Sequence, residues 1–286
     1  MKKKFTPYLL LLPQIGLTLL LITSLLTGII QSFGVIPAFN LFKPSLKYYI
    51  EIFARPDIIN SIFFSLKITL ISSLLATFIG LVICGLLVSN KEKTPLVNII
   101  THIPITVPHI VVALFTVIIF SQNGVFARLA YLLGFISEQQ EFPRLIYDQN
   151  GIGVIISYLW KEIPFIIYFI HSLMSRVEGS LGEAARDLGA NKFQSFIKVT
   201  LPLSSRVIIS GFLIIFIFTL GAYELPLLLG ATIPKALPVL AYQEYLHPDL
   251  RHRPYAMALN GIIILISLIS SIIYYFLMKK RGGGYE

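Results

Sequence analysis

Residues 175–202 read SRVEGSLGEAARDLGANKFQSFIKVTLP and lie between two long apolar segments, at about 151–174 and 206–229. A stretch of this length exceeds most connections between helices, and its mixture of small, apolar and charged residues is not that of a disordered segment. It therefore predicts a folded element of its own, placed at one surface between two apolar segments.

Helix signals divide this stretch in two. Ser180 followed by Glu183 predicts a capping box, and Gly189 is expected to adopt the left-handed conformation that ends the first helix. A second helix is expected from about Asn191, with Pro202 marking its end. Two interpretations of this helix-turn-helix stay open: a knob that enters a groove on a partner protein, or an amphipathic connector on the membrane surface.

The rest of the chain is dominated by apolar runs. Of its 286 residues, 56% are hydrophobic and only 13% are charged, whereas soluble domains carry about 25% charged residues. Six segments approach or exceed the roughly 20 apolar residues that a spanning helix needs. These segments are 9–31, 60–88, 98–121, 151–174, 206–229 and 255–278. The sequence predicts an all-α polytopic membrane protein with six transmembrane helices, and it lacks the short alternating segments of a β-barrel.

Basic residues are distributed unevenly between the connecting segments. With the N-terminus placed in the cytoplasm, the inside segments carry 13 Lys and Arg residues and the outside segments carry 8. The positive-inside rule therefore favours both termini in the cytoplasm, and the net charge of +9 is interpreted as an orientation signal, not as a nucleic-acid surface. The first apolar run resembles a signal peptide but continues to Ile30 without a cleavage site, so it is interpreted as a retained helix.

The run EAARDLGA at 183–190, followed by Leu201 and Pro202, closely resembles the EAA loop of inner-membrane permeases of binding-protein-dependent ABC importers. Its position between the fourth and fifth of six spans matches that family, and the six-span layout is similar along most of the chain. One departure is that the family often has a proline shortly after Leu-Pro, where this chain has Arg206. The resemblance implies the type I ABC importer permease fold.

The resemblance also implies a single permease domain over 1–286, with a cytoplasmic coupling loop at 175–205 that docks on an ATPase. The residues assigned to this coupling are Glu183, Ala184, Ala185, Asp187, Leu188, Gly189 and Pro202. The chain lacks a G-x-x-x-x-G-K-[ST] motif, so we expect no enzymatic activity and no cofactor here, with ATP and Mg bound by a dimer of ATPase subunits. The other expected partners are a second permease subunit (a different chain or a second copy), an extracytoplasmic solute-binding protein and the lipid of a bacterial inner membrane.

Polar residues inside the apolar segments are candidates for the translocation path, because ionisable groups in a bilayer are costly. These candidates are Lys161, Glu162, Tyr223 and Glu224. For the adjacent pair in the fourth span, a structural ion pair between helices is the alternative. Pro104 and Pro108 predict a kink in the third span, and the run 221–226 predicts a helix break that lines a cavity. The five histidines are interpreted as interfacial or packing residues, and no metal site is predicted.

The charge expected of the substrate depends on which of the charged side chains in the spans contact it. Glu162 and Glu224 suit an organic cation, whereas Lys67 and Lys161 suit an anion. The region around 221–230 is similar to spermidine/putrescine-type permeases, which favours a polyamine or a related small solute. The alternative function is a stand-alone secondary transporter or channel without an ATPase, but the inverted repeats expected of many such proteins are not evident.

Overall fold

The apolar segments fold into long helices, as a bilayer requires, because a helix satisfies its backbone polar groups internally. The computed structural model describes residues 6–89 and 95–282, and no β-strand occurs in that part of the chain. The α-helices are α1 (Thr6–Ser32), α2 (Lys47–Phe53), α3 (Pro56–Ser89), α4 (Pro95–Thr106), α5 (His109–Phe120), α6 (Val125–Leu132), α7 (Ile152–Val177), α8 (Glu183–Asp187), α9 (Lys192–Ser195), α10 (Leu201–Gly221), α11 (Glu224–Leu229), α12 (Leu237–Tyr245) and α13 (Arg253–Gly282).

Within the described residues, six helical segments are long and apolar enough to cross a membrane, which confirms the predicted number of spans. They are Leu10–Ser32, Pro56–Val88, His109–Leu132, Ile152–Asp187, Lys192–Gly221 and Leu250–Lys279. The cytoplasmic placement of both termini stays a prediction. It rests partly on five lysines outside the described residues: Lys2, Lys3, Lys4, Lys91 and Lys93.

Both predicted interruptions of the helices occur. α4 ends at Thr106 and α5 begins at His109, because Pro108 is extended (φ −59°, ψ 146°) and has no N–H for the helical ladder. The third span therefore begins later than the sequence predicts. α10 likewise ends at Gly221, and the extended Ala222 (φ −76°, ψ 128°) separates it from α11.

By internal packing the chain divides into two compact units, and the smaller one comprises residues 1–59 with 240–265. A polar cluster ties its two segments together. Arg55 Nη1 lies 3.5 Å from Glu244 Oε1, and the other oxygen of that carboxylate lies 2.5 Å from His252 Nδ1.

The larger unit comprises 60–239 with 266–286, and α7 is its central helix. α7 packs against α4, α5, α10 and α11. One buried apolar cluster surrounds Tyr158, including Phe64, Val112, Leu225 and Leu229, and a second surrounds Ile166, including Ala76, Ile170, Met174 and Ile208. The side chains at the middle of α7 are thereby held from several directions.

The two halves of 178–202 are the ends of two spans, not separate short helices. α7 continues through a π-turn at Glu178–Gly182 into α8, and α9 continues through a second π-turn at Phe196–Thr200 into α10. Gly189 ends the first arm with φ +94°, as predicted. Asn191 caps the second arm in a capping box with Gln194. We refer to residues 178–202 as the hairpin.

Two local predictions in the hairpin are wrong. Ser180 does not cap a helix, because it lies within a π-turn and its hydroxyl donates to the Arg176 carbonyl at 2.9 Å. Pro202 does not end a helix either, because it lies in the first turn of α10. The wide turn before it, closed by the Leu201 N–H bonding to the Phe196 carbonyl, reduces the usual clash of a proline ring with the preceding turn.

Candidate functional site: a membrane cavity and a helical hairpin

A cavity of about 220 Å³ lies within the larger unit, beside the middle of α7. Its walls come from α4, α5, α7 and α10. The lining residues are Ile105, His109, Tyr158, Lys161, Glu162, Phe165, Ile214, Ile215 and Phe218. The lining is mostly apolar, with a few polar groups, which is the usual composition of a small-molecule site.

Lys161 is held by the break between α4 and α5. Its ammonium group donates to the Val107 carbonyl at 2.5 Å. That carbonyl is outside the helical ladder, because the amides of Val111 and Val112 both bond to Pro108 instead. A backbone carbonyl therefore accepts a hydrogen bond from this lysine, and within the described residues the predicted alternative of an interhelical ion pair is not observed for Lys161.

Glu162 is the most deeply buried charged group of the cavity, with 4% of its surface exposed. Its Oε1 atom accepts a hydrogen bond from the Thr219 hydroxyl on α10. Its Oε2 atom is buried and has no partner among the described residues. An unpaired buried carboxylate oxygen is costly, so this atom represents an unused hydrogen-bonding position at the cavity wall.

His109 links the cavity to the second helix break. Its Nδ1 atom lies 3.3 Å from Glu224 Oε2, and its ring packs 5.6 Å from the ring of Phe218. Its Nε2 atom is buried without a partner in the described part of the chain. His109 begins α5 because Pro108 precedes it, so the proline that interrupts the span also positions this histidine.

Two of the four predicted path residues line the cavity, namely Lys161 and Glu162. Glu224 is outside the lining but lies 3.3 Å from the lining residue His109, and Tyr223 lies at the break before α11, also outside the lining. Sequence reasoning missed His109, which it treated as an interfacial or packing residue, and Tyr158. The signal for His109 was its place directly after Pro108.

A buried carboxylate joins the two arms of the hairpin. Glu178 is 3% exposed and accepts hydrogen bonds from Arg186 on its own arm and from Thr200 on the other. Ser195 Oγ lies 3.4 Å from the same carboxylate and donates to the Gly182 carbonyl at 3.0 Å. The sequence interpretation overlooked Glu178.

The tip of the hairpin carries apolar side chains that are exposed on the surface of the chain. Leu188 is 90% exposed and Phe193 is 73% exposed. The other residues predicted for coupling lie on the two arms. Glu183, Ala184, Ala185 and Asp187 form the last helical turn before the tip, and Pro202 lies in the first turn of α10.

The profile of a family described as "Binding-protein-dependent transport system inner membrane component" matches residues 76–282. The chain belongs to this family. Its members are transport permeases and not enzymes, and the six long apolar helices make this permease a multi-pass membrane protein.

Named relatives transport different solutes. The permease is 34% identical over 119 residues to the spermidine/putrescine transport system permease protein PotB of Haemophilus influenzae, and this match spans 41% of each chain. It is 25% identical over 236 residues to the sulfate transport system permease protein CysT of Escherichia coli, spanning 80% of each chain.

Solved structures support the fold. A chain of a bacterial alginate ABC transporter, crystallised with an alginate pentasaccharide-bound periplasmic protein, matches with a TM-score of 0.76 at 18% identity, covering 98% of this permease and 96% of that chain. A chain of the inward-facing MetNI methionine ABC transporter matches with a TM-score of 0.54 at 19% identity, covering 76% and 94%. The predicted type I importer permease fold is confirmed.

Proposed function

We propose that this permease forms half of the translocation path of an ATP-driven importer and is driven through its hairpin. One observation carries the proposal: two of the four helices that wall the cavity, α7 and α10, are the same helices that continue into the hairpin. A displacement applied at the tip therefore acts directly on the cavity walls, which is how a rigid-body switch would transmit motion.

The hairpin is the surface on which a cytoplasmic ATPase docks. Leu188, at the tip, fills an apolar groove on the ATPase, and Ala184 and Ala185 permit close approach of the two proteins. Glu183 and Asp187 contact basic residues of the ATPase, Gly189 shapes the tip, and Pro202 starts the arm that leads back to the membrane. Both termini then lie in the cytoplasm with the hairpin.

The complete transporter requires further chains. Residues 1–286 act as one permease domain in the inner membrane of a bacterium, beside a second permease subunit. Two ATPase subunits bind ATP and Mg, and an extracytoplasmic binding protein delivers the solute. The membership of a binding-protein-dependent family supports this arrangement.

The cavity favours a small organic cation such as a polyamine. Two carboxyl groups, Glu162 on the cavity wall and Glu224 beside the lining residue His109, outnumber one amine, Lys161, which already bonds to a backbone carbonyl. The unused position on Glu162 is an acceptor, and an ammonium group supplies the missing donor. The similarity to PotB agrees with this class, whereas the similarity to CysT represents the competing anionic class.

Purification from native membranes tests the coupling. We expect a P-loop ATPase to co-purify with the tagged chain and with the control variant Ser180→Ala, and to be lost when residues 180–190 are scrambled. A wild-type chain that transports solute while purifying without any ATPase would instead support a secondary transporter.

Uptake of labelled putrescine and labelled sulfate tests the substrate class. In cells that contain the whole transporter, Glu162→Gln should lower putrescine uptake, whereas Glu138→Gln, at an exposed position far along the chain from the cavity residues, should not. Uptake of sulfate but not putrescine by the wild-type transporter contradicts the cationic assignment and leaves the coupling proposal intact.

A further inference from the structure

We propose that Glu178 is a positioning residue for coupling: its buried carboxylate ties the two arms of the hairpin together, so that they move as one body. The part of this proposal that concerns coupling rests on the proposed function. The part that concerns the hairpin itself does not.

The contacts of Glu178 come from both arms. Arg186 reaches it from the end of α8, and Thr200 reaches it from the base of the opposite arm. Thr200 and Ser195 are themselves fully buried, and Glu178 is 3% exposed. A carboxylate with donors on both arms cannot lose one arm without leaving a buried charge partly unsatisfied, which is costly.

The backbone is adapted to this network on both sides. Glu178 is the first residue of one π-turn and Thr200 is the last residue of the other. Inserted π-turns are rare and occur frequently at functional sites, because each one shifts the direction of the side chains that follow. Gly182 completes the arrangement, since a Cβ atom there would lie 2.6 Å from the Glu178 carboxyl carbon.

The arrangement has a mechanical consequence. The exposed tip, at Leu188 and Phe193, lies in the chain between Glu178 and Thr200, whereas the cavity residues of α7 precede Glu178 and those of α10 follow Thr200. Any displacement of the tip must pass the Glu178 network before it reaches the cavity. With the two arms tied, α7 and α10 are displaced together and not one against the other.

A spin label at the tip of the isolated full chain tests the tie itself. The label is placed at Phe193→Cys in a Cys84→Ala background, because Cys84 is the single cysteine of the chain. Losing one charge-assisted hydrogen bond should raise the population of separated arms by at least about tenfold, so Glu178→Gln should increase label mobility. Ser180→Ala is the control on the same π-turn. Equal mobility in the two variants overturns the proposal.

A second label tests transmission in the assembled transporter. A reporter at Ile214→Cys, on the cavity wall, should change its spectrum when ATP is added to the wild-type complex. With Glu178→Gln we expect ATP hydrolysis to continue while the ATP-driven change at Ile214 is reduced, because α7 and α10 are no longer displaced together. A normal ATP-driven change in the Glu178→Gln complex overturns the positioning role. A joint loss of hydrolysis and of the spectral change also overturns it, because a purely structural defect lowers both together.

Two safeguards keep the result decisive. If Glu178→Gln does not insert into the membrane, Thr200→Val provides a second variant, because it removes one donor to Glu178 with little change of shape. It should also increase the mobility of the label at the tip. Unchanged mobility overturns the proposal. If the wild-type complex shows no change at Ile214 with ATP, the proposed function fails, while the measurement on the isolated chain still decides whether Glu178 ties the arms.

Discussion

The substitution Gly182→Ala should loosen the hairpin while its close neighbour Gly179→Ala should not. Both glycines lie in the π-turn Glu178–Gly182, and both substitutions add one methyl group. A Cβ atom at 182 would lie 2.6 Å from the carboxyl carbon and from Oε2 of Glu178, whereas a Cβ atom at 179 would meet nothing within 4 Å. The pair separates the effect of the carboxylate network from the general effect of alanine in a helix.

The size of the effect follows from these distances. Carbon atoms pack best at about 3.5–4.0 Å, so the Glu178 carboxyl group must retreat by about 1 Å. That movement disrupts its hydrogen bonds to Arg186 and Thr200, and hydrogen bonds to charged groups contribute about 1.5–3 kcal/mol each. The better helix propensity of alanine returns roughly 1 kcal/mol. We therefore expect Gly182→Ala to destabilise the hairpin by about 3 kcal/mol and Gly179→Ala to stabilise it by up to about 1 kcal/mol.

Hydrogen exchange followed by mass spectrometry measures this local stability in the intact chain. A loss of about 3 kcal/mol corresponds to roughly 100-fold faster exchange of protected hairpin amides. Exchange elsewhere, for example in the α3 amides, provides the internal reference. Exchange in the hairpin of Gly182→Ala that is no faster than in Gly179→Ala would refute the claim that this glycine accommodates the carboxylate.

Further substitutions test three separate features. Gly189→Ala forces a side chain into the left-handed conformation at the tip, which should cost about 1–2 kcal/mol and speed tryptic cleavage there, while Gly189→Glu should abolish transport without preventing insertion. Thr219→Val removes the donor to Glu162 and should lower the free energy of unfolding, followed by thermal denaturation, by about 1–3 kcal/mol. The double variant with Glu162→Leu should recover most of this loss, because no buried carboxylate is then left without its donor. A double variant as unstable as Thr219→Val would contradict this explanation. Asn191→Ala removes the cap of the second arm and should lower the free energy of unfolding by about 1 kcal/mol; an unchanged value would contradict the role of this cap.

Features with a local cause were predictable from the sequence. The break before α5 follows from Pro108, which lacks an N–H, and the end of the first arm follows from Gly189, which tolerates positive φ. The number of spans follows from hydrophobic length alone. Each of these depends on residues that are close together in the chain.

Features that depend on distant partners were not predictable. Nothing in the sequence distinguishes Glu178 from the other acidic residues of the hairpin, because its partner Thr200 is 22 positions away and no periodic pattern connects the two. The same holds for His109 and Glu224, which are brought together only by the packing of α5 against α11. Ser180 was misinterpreted for a related reason, since a serine three residues before a glutamate has the same pattern in a cap and inside a continuous helix.

The extent of the Glu178 network sets the smallest piece of this permease that could be exchanged with a related one. The EAA-like run covers 183–190, but the contacts that shape it extend from Glu178 to Thr200. A graft limited to the run would place its arginine, Arg186, opposite whatever side chain the host carries at the position of Glu178. Hybrids designed to test the proposed ATPase docking should therefore move the whole segment 178–200, because its boundaries are set by the contacts of a carboxylate and not by the recognisable motif.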